Sequence, residues 1–229
     1  MTDIHNTYVR RYSTGEEIVN SVTHGIGTVL SIVGLVILVV FAALYGDVWH
    51  VVGFSIFGGT LVFLYASSTL YHSFSKPSVK AILREIDHSA IFLLIAGTYT
   101  PFTLVTLRGA WGWSMLIVVW ALAIVGISTK FVRVFKFRGL SVAIYLFMGW
   151  MGVVAIKQIV SGVPLTSLIL LIIGGLAYTT GVVFYCSRTV PFHHGIWHIF
   201  VLCGSVSHYF AVLCIAVYNG TRLYAMLSG

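Results

Sequence analysis

Charge is the first thing this sequence has little of. Only 8% of its 229 residues are Asp, Glu, Lys or Arg, against 59% hydrophobic, where a soluble domain carries about a quarter charged residues. That scarcity excludes an ordinary water-soluble surface and points to an integral membrane protein one domain in length. Cysteine is scarce as well. Cys186, Cys203 and Cys214 fall in or beside apolar stretches with no CxxC spacing, which argues against a disulfide framework and a thiolate metal site and leaves them as packing residues. The first 23 residues hold Arg10, Arg11, Glu16 and Glu17 but no apolar core, so a cleavable signal peptide is not expected and the first span is expected to direct insertion. No lysine follows Lys157, so the last span cannot hold retinal as a Schiff base. Polar residues in the apolar stretches are too few for a wide aqueous channel through one chain.

What is present is length in apolar runs. Seven stretches approach the roughly 20 residues that cross a bilayer, at about 25–45, 50–72, 88–107, 111–129, 140–160, 165–186 and 197–218. Turn signals such as "SKPS", "SGVP" and "SRTVP" separate them. The expected fold is all-α, a polytopic seven-transmembrane-helix bundle, with residues 1–24 a cytoplasmic N-terminal segment carrying an interfacial helix and 25–229 the transmembrane domain. Ten of the thirteen Lys and Arg residues (Arg10, Arg11, Lys76, Lys80, Arg84, Lys130, Arg133, Lys136, Arg138 and Arg188) fall on one side, with Arg108, Lys157 and Arg222 on the other. The positive-inside rule then sets the N-terminus in the cytoplasm of a cell membrane and the C-terminus outside. The formal charge of +7 becomes an anchor beside anionic lipid rather than a nucleic-acid surface.

Against this apolar background the imidazoles stand out. In "HHGIWH", His194 and His198 are four residues apart, one turn on one helical face, a spacing that can grip one metal ion from two sides. Such a pair also serves as a polar cap at headgroup depth. A metal site needs further polar groups at the same depth, and the charge map supplies them: Ser68 and His72 at the cytoplasmic end of the second span, Asp87 at the start of the third. Ionisable groups there are costly unless paired or functional.

Together these segments carry a resemblance. "SSTLYH", then "DHSAIF" with Asp87 fifteen residues after His72, then "HGIWHIFV" resemble the SxxxH, D and HxxxH motifs of the hemolysin III family, related to progestin and adipoQ receptors and more distantly to alkaline ceramidases. "EEIVNSVTHGIG" is similar to the opening motif of the bacterial branch. The resemblance implies a seven-helix bundle with zinc held by His72, His194 and His198, with Asp87 and Ser68 as partners of its water. It also implies three function classes. One is a metal-dependent hydrolase of a membrane lipid amide or ester; another is a lipid-responsive receptor or regulator with structural zinc. The third is a cytolytic membrane protein, the activity behind the family name. The partner is a membrane lipid, as substrate or ligand, with no nucleic acid; oligomeric state is open.

The chemistry follows from the residue types. Three neutral imidazoles leave zinc an open fourth position, as catalytic sites do, and zinc acidifies water held there. Asp87 could then accept its proton and Ser68 donate to a developing oxyanion. The HExxH pattern is absent, because Gly195 follows His194. Thr14 and Glu17 form a capping-box pattern. Glu17, Asn20 and His24 make a polar stripe that could support the ligands from behind or contact headgroups. Val79, Ile82, Leu83 and Ile86 suggest an interfacial amphipathic helix. His208 is expected to bond between helices, His88 and His193 to point away from the site, and Pro101 to kink the third span.

Overall fold

The computed structural model describes residues 12–131, 138–187 and 189–228, without the side chains of 131, 138 and 219–228. Residues 1–11, Arg133, Lys136 and Arg188 lie outside the described residues, and with them part of the charge bias behind the expected orientation.

Among the described residues, eight α-helices form seven spans long and apolar enough to cross a membrane: α1 (Thr14–Tyr45), α2 (Val48–Ser73), α3 (Pro77–Pro101), α4 (Ala110–Phe131), α5 (Arg138–Trp150), α6 (Ile156–Gly162), α7 (Leu165–Cys186) and α8 (His193–Ser228). No strand occurs among the described residues. The fifth span is composite, α5 and α6 being joined by a 3₁₀ turn at Met151–Ala155. The third continues past Pro101 as a π-helix, Phe102–Thr106. Pro101, the residue expected to kink this span, is the last of α3.

Helix ends explain several differences from the sequence reading. The capping box that starts α1 uses Ser13 and Glu16 rather than Thr14 and Glu17, which frees Glu17 for tertiary contacts. Helix α1 then runs unbroken through residue 24; its 32 residues span about 48 Å, against a hydrocarbon core of about 30 Å. The expected interfacial helix at 79–86 is instead the first part of α3. Pro77 suits its first turn and no further proline follows before Pro101.

Lipid offers no hydrophobic drive to bring helices together, so close packing and interhelical hydrogen bonds must do it. A Cβ at Gly27 would fall 2.5 Å from the Tyr65 ring; its absence lets α1 close on α2. Leu38, Phe54, Phe57, Leu64, Leu94 and Val212 form the main core between α1, α2, α3 and α8, while Phe92, Val119 and Met148 join α3, α4 and α5. Tyr65 Oη donates to Ser205 Oγ at 2.7 Å, with Tyr178 Oη also 2.7 Å from that oxygen, tying α2 and α7 to α8. His208 Nε2 lies 3.2 Å from the Leu171 carbonyl, the interhelical bond expected of it. Cys186 and Cys203 are exposed and Cys214 is half-buried. The first two therefore face outward rather than packing inside as expected.

Candidate metal centre

Helix α2 ends, and α8 begins, at the same depth against α1, and three imidazoles meet there. Ring centroids are 5.1 Å apart for His72 and His194, 5.2 Å for His72 and His198, and 4.6 Å for His194 and His198. All three rings are buried, and one nitrogen from each lies within 4.8 Å of the other two. The one-turn spacing on α8 is set from its first residues. Phe192, just before the helix, has φ of 53°, a left-handed conformation uncommon for a bulky residue, and the chain enters α8 directly from it.

Two ligand candidates are oriented from behind by α1. His72 Nδ1 is 2.7 Å from Glu17 Oε2; a carboxylate can only accept, so Nδ1 donates and the lone pair stays on Nε2. That Nε2 has no hydrogen-bond partner. Asn20 Nδ2 lies 3.5 Å from the same Nδ1. His198 Nδ1 is 3.2 Å from both the Asn20 carbonyl and Thr23 Oγ1. Since the Thr23 hydroxyl already donates to backbone carbonyls, Nδ1 donates here too and Nε2 keeps its lone pair. Neither nitrogen of buried His194 has a hydrogen-bond partner, and its ring stacks against Tyr12 at 5.1 Å.

Such unpartnered buried nitrogens are costly in a protein of this kind, and a shared cation would answer for one on His72 and one on His194 while taking the lone pair that His198 Nε2 keeps. The residues therefore fit a metal ion, and a set of three imidazoles suits zinc among others.

The remaining sequence candidates lie around this set. Ser68 sits one turn before His72 on the same buried face of α2. Buried Asp87, on α3, approaches the Ser68 hydroxyl, although Ser68 Oγ completes no hydrogen bond. Asp87 is not one of the clustered ligand groups. His24 stacks on His198 with centroids 3.5 Å apart and meets Tyr65 edge-on. His193 Nδ1 is turned to the Phe184 carbonyl at 3.0 Å, and neither His88 nor His193 joins the cluster.

Three participants were not picked out from the sequence as site residues. Thr23 could have been found from helical phase, being one turn after Asn20 on the α1 stripe. Tyr12 and Lys80 carried no local signal, because their partners come from other helices. Beside the site, an apolar cavity of about 240 Å³ lies between α3, α5, α7 and α8, lined by residues including Ile91, Leu94, Leu146, Leu171 and Trp197. Tyr185 lines it as well, with its ring 6.1 Å from His194.

The family model described as Haemolysin-III related matches residues 12–209. The "Hemolysin-3 homolog" of Bacillus subtilis (strain 168) is 48% identical over 208 residues, covering 90% of this chain and 98% of that protein. "Hemolysin-3" of Bacillus cereus is 46% identical over 198 residues, covering 86% and 90%. The human "Monocyte to macrophage differentiation factor" is 30% identical over 205 residues, covering 86% and 83%.

Proposed function

Because the chain belongs to the haemolysin-III-related family of multi-pass membrane proteins, we propose that it is a zinc-dependent hydrolase of a membrane lipid amide or ester. The reading rests above all on three buried imidazoles that converge from two helices, two of them held from behind through Nδ1. Zinc in such a set supplies Lewis acidity and makes water a competent nucleophile near neutral pH. Asp87 would accept the proton released as water attacks and pass it to the departing amine or alkoxide as the acyl bond breaks, while Ser68 would donate a hydrogen bond to the carbonyl oxygen as it gains charge. Glu17, Asn20 and Thr23 hold His72 and His198 in the tautomer that leaves Nε2 free. The apolar cavity beyond Tyr185 receives part of an acyl chain. The Lys and Arg bias puts this end of the bundle at the cytoplasmic leaflet, with the N-terminus inside and the C-terminus outside; reporter fusions at both ends test that orientation.

Lysis, the activity in the name of the Bacillus cereus relative, needs an aqueous path. The cavity here is apolar, which favours a lipid site over a pore. The deciding assay uses reconstituted protein, with and without zinc, on vesicles carrying a panel of lipid amides and esters. We expect zinc-dependent release of fatty acid, and we expect Asp87→Ala to keep its metal while losing release. Release that survives zinc removal excludes this mechanism. No release across a broad panel leaves the lipid-responsive receptor with structural zinc as the better account.

A further inference from the structure

Lys80 belongs, by sequence, to the basic residues that mark one membrane side. In the fold its side chain is buried: the residue is 8% exposed in the first turn of α3. An ammonium has three N–H donors, and three oxygens surround this one: Glu17 Oε1 at 2.8 Å, the Tyr71 carbonyl at 3.0 Å and the Phe74 carbonyl at 3.3 Å. Both carbonyls belong to the C-terminal end of α2, where helix oxygens lack partners of their own and a cation is favoured. The Tyr71 ring lies under the same nitrogen, 4.8 Å from it. One side chain thus joins α1, α2 and α3 immediately behind His72.

The two oxygens of Glu17 have separate tasks. Oε2 faces His72 Nδ1 at 2.7 Å and Oε1 faces Lys80. Holding one oxygen fixes the plane of the carboxylate, and with it the direction from which the other receives the imidazole N–H. A half-buried carboxylate with no cation would also have to turn toward water, since isolated buried charge is costly.

We propose that Lys80 is a positioning residue of the metal centre: by gripping Glu17 Oε1 it keeps Glu17 Oε2 on His72 Nδ1, so that His72 Nε2 stays turned toward His194 and His198. This rests on the reading that these three histidines hold a metal. Lys80 itself is no ligand, because an ammonium has no lone pair to offer.

The test is a zinc titration of purified wild-type protein, Lys80→Gln, Lys80→Arg, Glu17→Gln and the Glu17→Gln/Lys80→Gln double variant. Glutamine can still donate to one of the α2 carbonyls but lacks the charge. Lys80→Gln should weaken zinc binding on the order of tenfold, the lower end of what loss of support behind a ligating histidine costs, and Lys80→Arg should restore most of it. The double variant should bind no more weakly than Glu17→Gln alone, because both substitutions break one linked contact. Losses that multiply in the double variant, or unchanged binding by Lys80→Gln beside a zinc-binding wild type, overturn the proposal alone. A wild type that binds no zinc overturns the underlying reading with it. A measurement free of folding defects is ¹⁵N NMR of zinc-loaded wild type: His72 should be protonated at Nδ1 and ligated through Nε2, and the reverse arrangement overturns the proposal.

Discussion

Helix α2 carries the same chemical triple at both ends. At its N-terminus Asp47 Oδ1 meets His50 Nδ1 at 2.7 Å, and Arg108 pairs with the other oxygen. At its C-terminus Glu17 Oε2 meets His72 Nδ1 at 2.7 Å, and Lys80 pairs with the other oxygen. Chemistry does not distinguish them; placement does. The Asp47 and Arg108 side chains are 44% and 47% exposed, the Glu17 and Lys80 side chains 19% and 10%. Asp47 and His50 are also neighbours in one turn, where Asp47 caps α2 by accepting from the Trp49 and His50 amides. Glu17 and His72 stand 55 residues apart and can meet only when α1 is docked on α2. Only the Arg108 contact, 61 residues from Asp47, reaches beyond the helix end in the first triple, while in the second both contacts of Glu17 come from other helices and aim an imidazole into the bundle.

The most drastic way to break the distinction is at the ligands. The double variant His194→Ala/His198→Ala should lose stoichiometric zinc altogether by elemental analysis, and its melting temperature should no longer rise with added zinc, since a ligand stabilises only a fold that binds it. One metal per chain remaining in that variant would refute the assignment. Next in size, Glu17→Gln should weaken zinc binding about 10- to 100-fold, whereas Asp47→Ala should leave the same titration unchanged. Equal losses would mean the two triples are not different in kind. Asp47→Ala should instead lower stability by about 1 kcal/mol, the usual cost of a lost N-cap, read from thermal melts in detergent.

Acid gives the smallest effect. Burial raises the Asp47 carboxyl, but hydrogen bonds from Arg108 and His50 outweigh it and hold the group below the ordinary carboxylate range. A depressed acid stabilises the fold fully above its unfolded value of about 3.9 and loses that contribution as pH falls from there toward the folded value. Wild-type melts should therefore drop more steeply than those of Asp47→Asn below about pH 4, modestly, because exposed pairs are screened. Parallel curves for the two proteins would remove Asp47 from the acid response.

The comparison also explains what could be read from the sequence. Apolar run length follows from bilayer thickness alone, so the seven spans were legible, and the His194 and His198 pair was visible because one helical turn is a local relation. The exact capping register was not, since Ser13 with Glu16 and Thr14 with Glu17 both satisfy the pattern; tertiary pairing of Glu17 with His72 and Lys80 decides between them. Lys80 looked like any basic residue at a membrane edge because nothing within a turn of it is acidic, Glu85 standing five residues on, and its partners arrive from α1 and α2. His24 reads as part of a polar stripe, but its stacking on His198 depends on how α1 meets α8. Hydropathy likewise says that Cys186 and Cys203 lie in lipid without saying which way they face.

The π-helix after Pro101 makes this part of the chain sensitive to length. Its wide turn is closed by the Leu107 amide donating to the Phe102 carbonyl at 2.8 Å, which amounts to one residue more than an α-turn holds. Loop tips absorb insertions and deletions by changing shape, but a residue removed between Phe102 and Thr106 would let the helix resume its ordinary repeat. The turns on either side would then keep their phase, whereas a residue removed earlier in α3 would turn everything beyond by about 100° around the axis. That second change would carry Arg108 away from Asp47, and the entry to α4 with it.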